Sequence, residues 1–159
     1  MKVLIVSDTH RNEDNLMMAL EKEENLDLLI HCGDVEGAEC EIECYAGCNT
    51  VFVAGNNDFF SRLPRDVEIV VEGYRTWVTH GHNYYVNTNP GYIRQEARLK
   101  GVDMVIYGHT HRPVIEKNDD LLVINPGSLT YPRQEGRRPS YAVLEIENRN
   151  IGRLEIVYL

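Results

Sequence analysis

Lys2-Val3-Leu4-Ile5-Val6-Ser7-Asp8-Thr9-His10 is the stretch from which the rest of the chain can be read. Lys2–Val6 is a short apolar run rich in β-branched residues, which predicts a buried strand. A polar cluster carrying a carboxylate and an imidazole follows at once. The same construction recurs four times. Gly33-Asp34 follows Leu28–Cys32, and Gly55-Asn56-Asn57-Asp58 follows Thr50–Val53 and Ala54. His80-Gly81-His82 follows Arg75–Thr79, and Gly108-His109-Thr110-His111 follows Met104–Tyr107. In α/β sheets the carboxyl ends of strands open into one crevice, where ligands bind. Glycine allows the tight turns that bring side chains inward there. Five of the six histidines lie in these clusters. Residues spread over a hundred positions are therefore expected to converge.

The segments between the clusters set the fold class. A helix is expected from a cap at Asn12 through Glu23, with Leu16, Met17 and Leu20 inward. A second is expected over Ala38–Tyr45. This βαβα order predicts a parallel sheet flanked by helices. The pattern then changes to hairpins: Val67–Val71 with Arg75–Thr79 about Glu72-Gly73, Pro113–Lys117 with Leu121–Asn125 about Asn118-Asp119-Asp120, and Tyr141–Ile146 with Arg153–Val157 about Asn148–Gly152. A helix over Gly91–Lys100 follows Asn89-Pro90. The back half therefore reads as mostly antiparallel. Two sheets packed face to face, with helices outside, would use every element.

A chain of 159 residues is expected to form one domain, residues 1–159. No apolar run approaches the roughly 18 residues of a membrane span. The opening run meets Asp8 too soon for a secretory segment. A cytoplasmic protein with reduced Cys32, Cys40, Cys44 and Cys48 is the resulting expectation. Sixteen basic against 25 acidic residues give a net charge of −9, which repels nucleic acid and anionic lipid at long range. Two divalent cations would bring that total to −9 + 4 = −5.

Asp, Asn and His offer oxygen and nitrogen ligands without a thiolate. That set favours Mn, Fe, Ni, Co or Zn over a cysteine-based structural zinc. Two carboxylates with three or more imidazoles exceed one ion's needs. One aspartate can bridge a pair of ions about 3.5–4 Å apart, which together acidify water and neutralise a phosphoryl group.

Asp-x-His, Gly-Asp, Gly-Asn-x-Asp, His-Gly-His and Gly-His-x-His, in this order and each at a strand end, resemble the calcineurin-like metallophosphoesterase superfamily. The likeness runs from Lys2 through His111 and on to Asn125-Pro126-Gly127-Ser128, and the short chain resembles its small bacterial and archaeal phosphodiesterase branch. The resemblance implies an α/β four-layer sandwich of two mixed β-sheets flanked by helices, with two divalent metal ions, manganese first among the candidates. It implies that Asp8, His10 and His111 hold the first ion, that Asp34 bridges, and that Asn56, His80 and His109 hold the second. The implied activity is hydrolysis of a small phosphodiester by a metal-bridging hydroxide, with no nucleic-acid or membrane partner. A homodimer is consistent with small members of the branch. A phosphomonoesterase or nuclease of the same superfamily is the alternative enzyme. A metal-binding scaffold without catalysis is the alternative of another class.

One position departs from the family. Many members have His directly after the motif's Asn, placed to protonate the leaving oxygen; here it is Asn57. An amide has no proton to transfer near neutral pH. Substrate contacts fall to Arg11, Asn57 and His82, with Asn57 and His82 also closest to the reaction itself.

Other residues have plainer readings. His31, inside an apolar strand, is expected to be a hydrogen-bonded core histidine. Asp58 is expected to orient Asn57 or its turn. Cys40, Cys44 and Cys48 recur every fourth residue but lack a fourth metal ligand, so they read as small core residues. Arg133, Arg137 and Arg138 read as a solvated loop, and Tyr84 and Tyr85 as pocket wall or interface.

Overall fold

The computed structural model describes residues 1–159. The chain runs β1 (Lys2–Val6), α1 (Asp14–Lys22), β2 (Leu28–His31), α2 (Glu39–Ala46), β3 (Asn49–Phe52), β4 (Asp66–Val71) and β5 (Tyr74–Thr79). After a single 3-10 turn at His82–Tyr84 come α3 (Pro90–Lys100), β6 (Met104–Tyr107), β7 (Val114–Lys117), β8 (Leu122–Asn125), β9 (Ser140–Glu147) and β10 (Asn150–Tyr158). No helix is long and apolar enough to cross a membrane.

Two five-stranded sheets form, in the orders β10-β9-β1-β2-β3 and β4-β5-β6-β8-β7. Both are mixed. β1, β2 and β3 run parallel in the first sheet, as do β5, β6 and β8 in the second. The hairpins β4–β5, β7–β8 and β9–β10 supply the antiparallel pairs toward the edges, and β9 also pairs antiparallel with β1.

Period-two alternation builds the layers. Val3 and Ile5 of β1 face the space between the sheets, where they meet Ile30, Val78, Ile106 and Ile124. Leu4 and Val6 face the other way, onto Leu16, Ala19 and Ile42 of α1 and α2. On the second sheet Trp77, Val105, Tyr107 and Val123 face Ile93 and Ala97 of α3. The order is therefore helices, sheet, sheet, helix. Strands covered on both faces read as continuous apolar runs, as β1, β2, β6 and β8 do. Burying each such side chain contributes roughly 1.5–3 kcal/mol.

Four local expectations are corrected. Asn12 does not cap α1: its side chain accepts from the Asp14 N–H at 3.3 Å, and Glu13 occupies the cap position without a side-chain bond. The inner face of α1 is Leu16 and Ala19, with Met17 and Leu20 only partly covered. The last hairpin turns on Asn148 and Arg149 alone, both at positive φ (47° and 64°), so β10 begins at Asn150. Two successive positive-φ residues are the twist-matched way to join antiparallel strands. Cys40 and Cys44 are exposed on α2 rather than packed in a core, because that helix turns only Ile42 fully inward.

Candidate metal centre

The polar clusters at the ends of β1, β2, β3, β5 and β6 meet on one edge of the sandwich. Main-chain hydrogen bonds tie the loops together. The Asp8 N–H donates to Gly33 O and the His10 N–H to Asp34 O, both at 3.0 Å, and the Gly108 N–H donates to His80 O at 3.2 Å. Close approach explains the glycines. A Cβ on Gly33 would lie 2.6 Å from His80 Nδ1, and one on Gly55 would lie 2.7 Å from Asp34 Cγ. Asp8, His10, Arg11, Asp34, His109 and His111 all take positive φ, between 49° and 65°. Such backbone costs of order 1–3 kcal/mol per residue and persists where packing over-determines it.

Asp8 and Asp34 are buried at 0% and 1% exposure. Around them stand His10 Nε2 (3.9 Å from Asp8 Oδ1, 3.7 Å from Asp34 Oδ2), His80 Nε2 (3.6 Å from Asp34 Oδ2) and His111 Nε2 (3.1 Å from Asp8 Oδ1). Each of these rings is held by its other nitrogen. His10 Nδ1 meets Glu36 Oε1, His80 Nδ1 meets Cys32 O, and His111 Nδ1 meets Tyr131 O, all at 2.7 Å. A carbonyl or carboxylate partner accepts only, so Nδ1 carries the proton and, in the neutral ring, the Nε2 lone pair faces the acids. Two triads bring their donor atoms within 4.8 Å of one another: Asp8, His10 and His111, and Asp8, Asp34 and His80. Asn56 joins the second through Oδ1, 3.0 Å from His80 Nε2.

His109 sits at the rim. Its main-chain N–H donates to Asp8 Oδ2 at 3.2 Å, and its ring centroid is 5.0 Å from that of His80. The His82 ring is next along, 5.3 Å from His80 and 6.0 Å from His109. Asn57 grips Asp34 twice, from its main-chain N–H to Oδ1 at 2.8 Å and from Nδ2 to Oδ2 at 2.7 Å. Arg11 is exposed, with Nε donating to Glu36 O at 2.8 Å.

The electrostatics follow from burial and neighbours. Burial raises the Asp8 carboxyl, but His111 and His80 outweigh it and bring the pKa down to about 2. Burial lowers His111, yet the adjacent Asp8 carries it above its usual value. Burial and the neighbouring His80 ring push His109 down to about 4 and also lower His82. Burial likewise sends His31 to about 4. His31 is the hydrogen-bonded core histidine anticipated: Nε2 is 3.2 Å from Thr9 Oγ1, and Nδ1 accepts the Gly33 N–H at 3.2 Å. Asp58 accepts the N–H groups of Gly55, Asp34 and Glu36, so it fixes the turn, while Asn57 is held by Asp34 instead.

Glu36, Thr130 and Tyr131 join the site beyond the residues expected from sequence, and Ser128 of the Asn125-Pro126-Gly127-Ser128 segment gains a role there. Glu36 steers His10. Ser128 Oγ donates to Asp8 O at 3.0 Å and Thr130 Oγ1 to Thr9 O at 2.7 Å. The Tyr131 ring lies 5.1 Å from that of His10. Ser128, Thr130 and Tyr131 follow β8, an apolar strand ending in a polar cluster, so the construction that found the others marks them too. Glu36 carries no such signal.

The profile of the calcineurin-like phosphoesterase superfamily domain matches residues 1–149. A probable metallophosphoesterase of Bacillus subtilis (YsnB) is 36% identical over 151 residues, covering 93% of this chain and 86% of that one. A phosphodiesterase of Methanocaldococcus jannaschii is 32% identical over 145 residues, 80% of this chain and 83% of its own. The solved structure of an archaeal phosphodiesterase superimposes over the full length of both chains at 29% identity, TM-score 0.79. A zinc-complexed Vps29 from Entamoeba histolytica shares the fold at 20% identity, TM-score 0.82, over 100% of this chain and 98% of that one.

Proposed function

We propose, from the premise that this chain belongs to the calcineurin-like phosphoesterase superfamily, that it is a phosphodiesterase of small phosphodiesters which works with two divalent cations. One observation carries the reading: two buried carboxylates lie under three imidazole Nε2 atoms, each aimed by a fixed Nδ1. The donor set fits the ions. His10 Nε2 is buried without a hydrogen bond, Asp8 Oδ1 has only His111 Nε2 beside it at 3.1 Å, and unpaired buried polar atoms are costly unless something completes them. Oxygen and imidazole donors without thiolate suit manganese and its neighbours.

Asp8, His10 and His111 would hold one ion, Asn56, His80 and His109 the other, with Asp34 shared. When bound, such a pair acidifies water and neutralises phosphoryl charge. Asn57 fixes the Asp34 carboxylate from two sides. Arg11, beside His10, supplies a guanidinium for a phosphoryl oxygen, and His82 borders the same space. Asn57 contributes no transferable proton, so the leaving oxygen draws its proton from water or from His82, and esters with acidic leaving groups are the best substrates. Residues 1–159 act together as one catalytic domain in this reading.

The test is Asp34→Asn with manganese and bis(4-nitrophenyl) phosphate, with 4-nitrophenyl phosphate as the monoester control. The reading predicts two ions per wild-type chain, preference for the diester, and loss of one ion and most activity in the variant. Unchanged stoichiometry and rate in the variant would overturn it, and preference for the monoester would move the substrate class.

A further inference from the structure

A cavity of about 620 Å³ opens beside the candidate metal centre, lined in part by Arg11, Asn57, Phe59, Phe60 and Arg62. That volume lies within the range of small-molecule sites. It adjoins the centre: Asn57, which lines it, donates to Asp34, and Arg11 directly follows His10. Phe59 is 78% exposed and Phe60 fully exposed, although both stand on the turn that follows Asn56-Asn57-Asp58. Two adjacent phenyl rings left in water, flanked by guanidinium groups, form a surface for a flat aromatic ring rather than for an aliphatic chain. Two of the three carboxylates beside them are already engaged: Glu36 holds His10, and Asp58 holds three main-chain N–H groups. Glu39 lines the cavity as well and its side chain makes no hydrogen bond or ion pair, so the uncommitted groups are two phenyl rings, the Arg62 guanidinium and the Glu39 carboxylate.

We infer that this cavity binds a planar aromatic group carried on one ester arm of the phosphodiester, with Phe59 and Phe60 as the stacking faces and Arg62 as the flanking charge. The inference deepens the phosphodiesterase reading and rests on it for the position of the phosphorus. A nucleobase and a simple aryl ring share this chemistry, and the substrates below separate them.

The experiment compares three diesters with one leaving group, 4-nitrophenolate, on the manganese-loaded protein. The second arm is methyl, 4-nitrophenyl or 5′-thymidine, and each kcat/KM is divided by the uncatalysed rate. Base–aromatic stacking predicts an advantage on the order of tenfold for an aromatic second arm over methyl, carried by KM. Phe59→Ser and Phe60→Ser should each shrink that ratio several-fold. An advantage for thymidine alone assigns the cavity to nucleobases, and an equal one for both aromatic arms assigns it to aryl rings. Calorimetric binding of thymidine 5′-monophosphate and of 4-nitrophenyl phosphate, each weakened by the same substitutions, gives a readout independent of turnover. A ratio near one, or a ratio that both variants leave unchanged, overturns the inference while the phosphodiesterase reading stands. Collapse of the ratio together with a change from dimer to monomer in light scattering also overturns it, since Phe59 and Phe60 would then be an interface. Failure to hydrolyse any of the three diesters sinks the phosphodiesterase reading, and the calorimetry alone then decides the cavity.

Discussion

Gly33→Ala tests whether the centre is built by backbone approach. Gly33 has φ +100°, and an added Cβ would lie 2.6 Å from His80 Nδ1, 2.8 Å from Gly55 N and 2.9 Å from Gly55 Cα. Ordinary contact begins at 3.4 Å, so the His80 ring would have to retreat by 3.4 − 2.6 = 0.8 Å and the Gly55 backbone by 3.4 − 2.8 = 0.6 Å. Neither can swing aside freely: His80 Nδ1 donates to Cys32 O, and the Gly55 N–H donates to Asp58. Overpacking costs about 1–3 kcal/mol, and a β-carbon at this φ adds roughly as much again. For a domain of this size that lowers Tm by on the order of 10 °C. The displacement of His80 is several times the roughly 0.2 Å tolerance of a metal–ligand distance. Differential scanning calorimetry with and without manganese, together with metal analysis, is the assay. Gly152→Ala is the control, since its Cβ would meet nothing nearer than Glu145 O at 3.8 Å. A Gly33→Ala protein with wild-type Tm and undiminished manganese uptake would refute the reasoning.

Three further outcomes are expected. His31 titrates near 4 when folded and near 6.5 when free, so the unfolded chain binds more protons between those values. Stability is full above about pH 6.5 and falls by about 3 kcal/mol as pH drops toward 4; His31→Gln should flatten that slope in urea titrations. Burial raises the Glu13 carboxyl to about 7 from 4.5, so its contribution runs the other way and stability is lost as pH climbs through that window. Glu13→Gln should gain about 1 kcal/mol at pH 8, a figure reduced for its partial exposure, and nothing at pH 4. Asn57→His restores a transferable proton and should raise alkyl diester hydrolysis relative to aryl, by up to the roughly 10²–10⁴-fold that general acid catalysis supplies; an unchanged aryl-to-alkyl ratio contradicts the role assigned to position 57.

Much of the fold is legible because burial on both faces leaves a simple mark. β1, β2, β6 and β8 are short apolar runs, and each ends in chemistry. The parallel centre of the second sheet is not legible in the same way. β5 and β8 each belong to a hairpin whose turn is obvious, but their pairing with β6 is set by residues far along the chain. The start of α1 departs from the expected cap because Asn12 closes a local turn on Asp14, which competes with capping for the same side chain. Exposed Cys40 and Cys44 illustrate a limit of composition: cysteine is usually buried, yet α2 has only one fully inward position to offer. At the site, the acids and imidazoles announced themselves by type and place. Glu36 did not, because its role lies in aiming His10 at a distance of 26 residues in sequence.

The most direct measurement of the central claim is an anomalous-scattering map from crystals grown with manganese. The account predicts two peaks about 3.5–4 Å apart, one beside Asp8, His10 and His111, the other beside Asn56, His80 and His109, with Asp34 between them. A single peak, or density away from the Asp8 and Asp34 carboxylates, would contradict it.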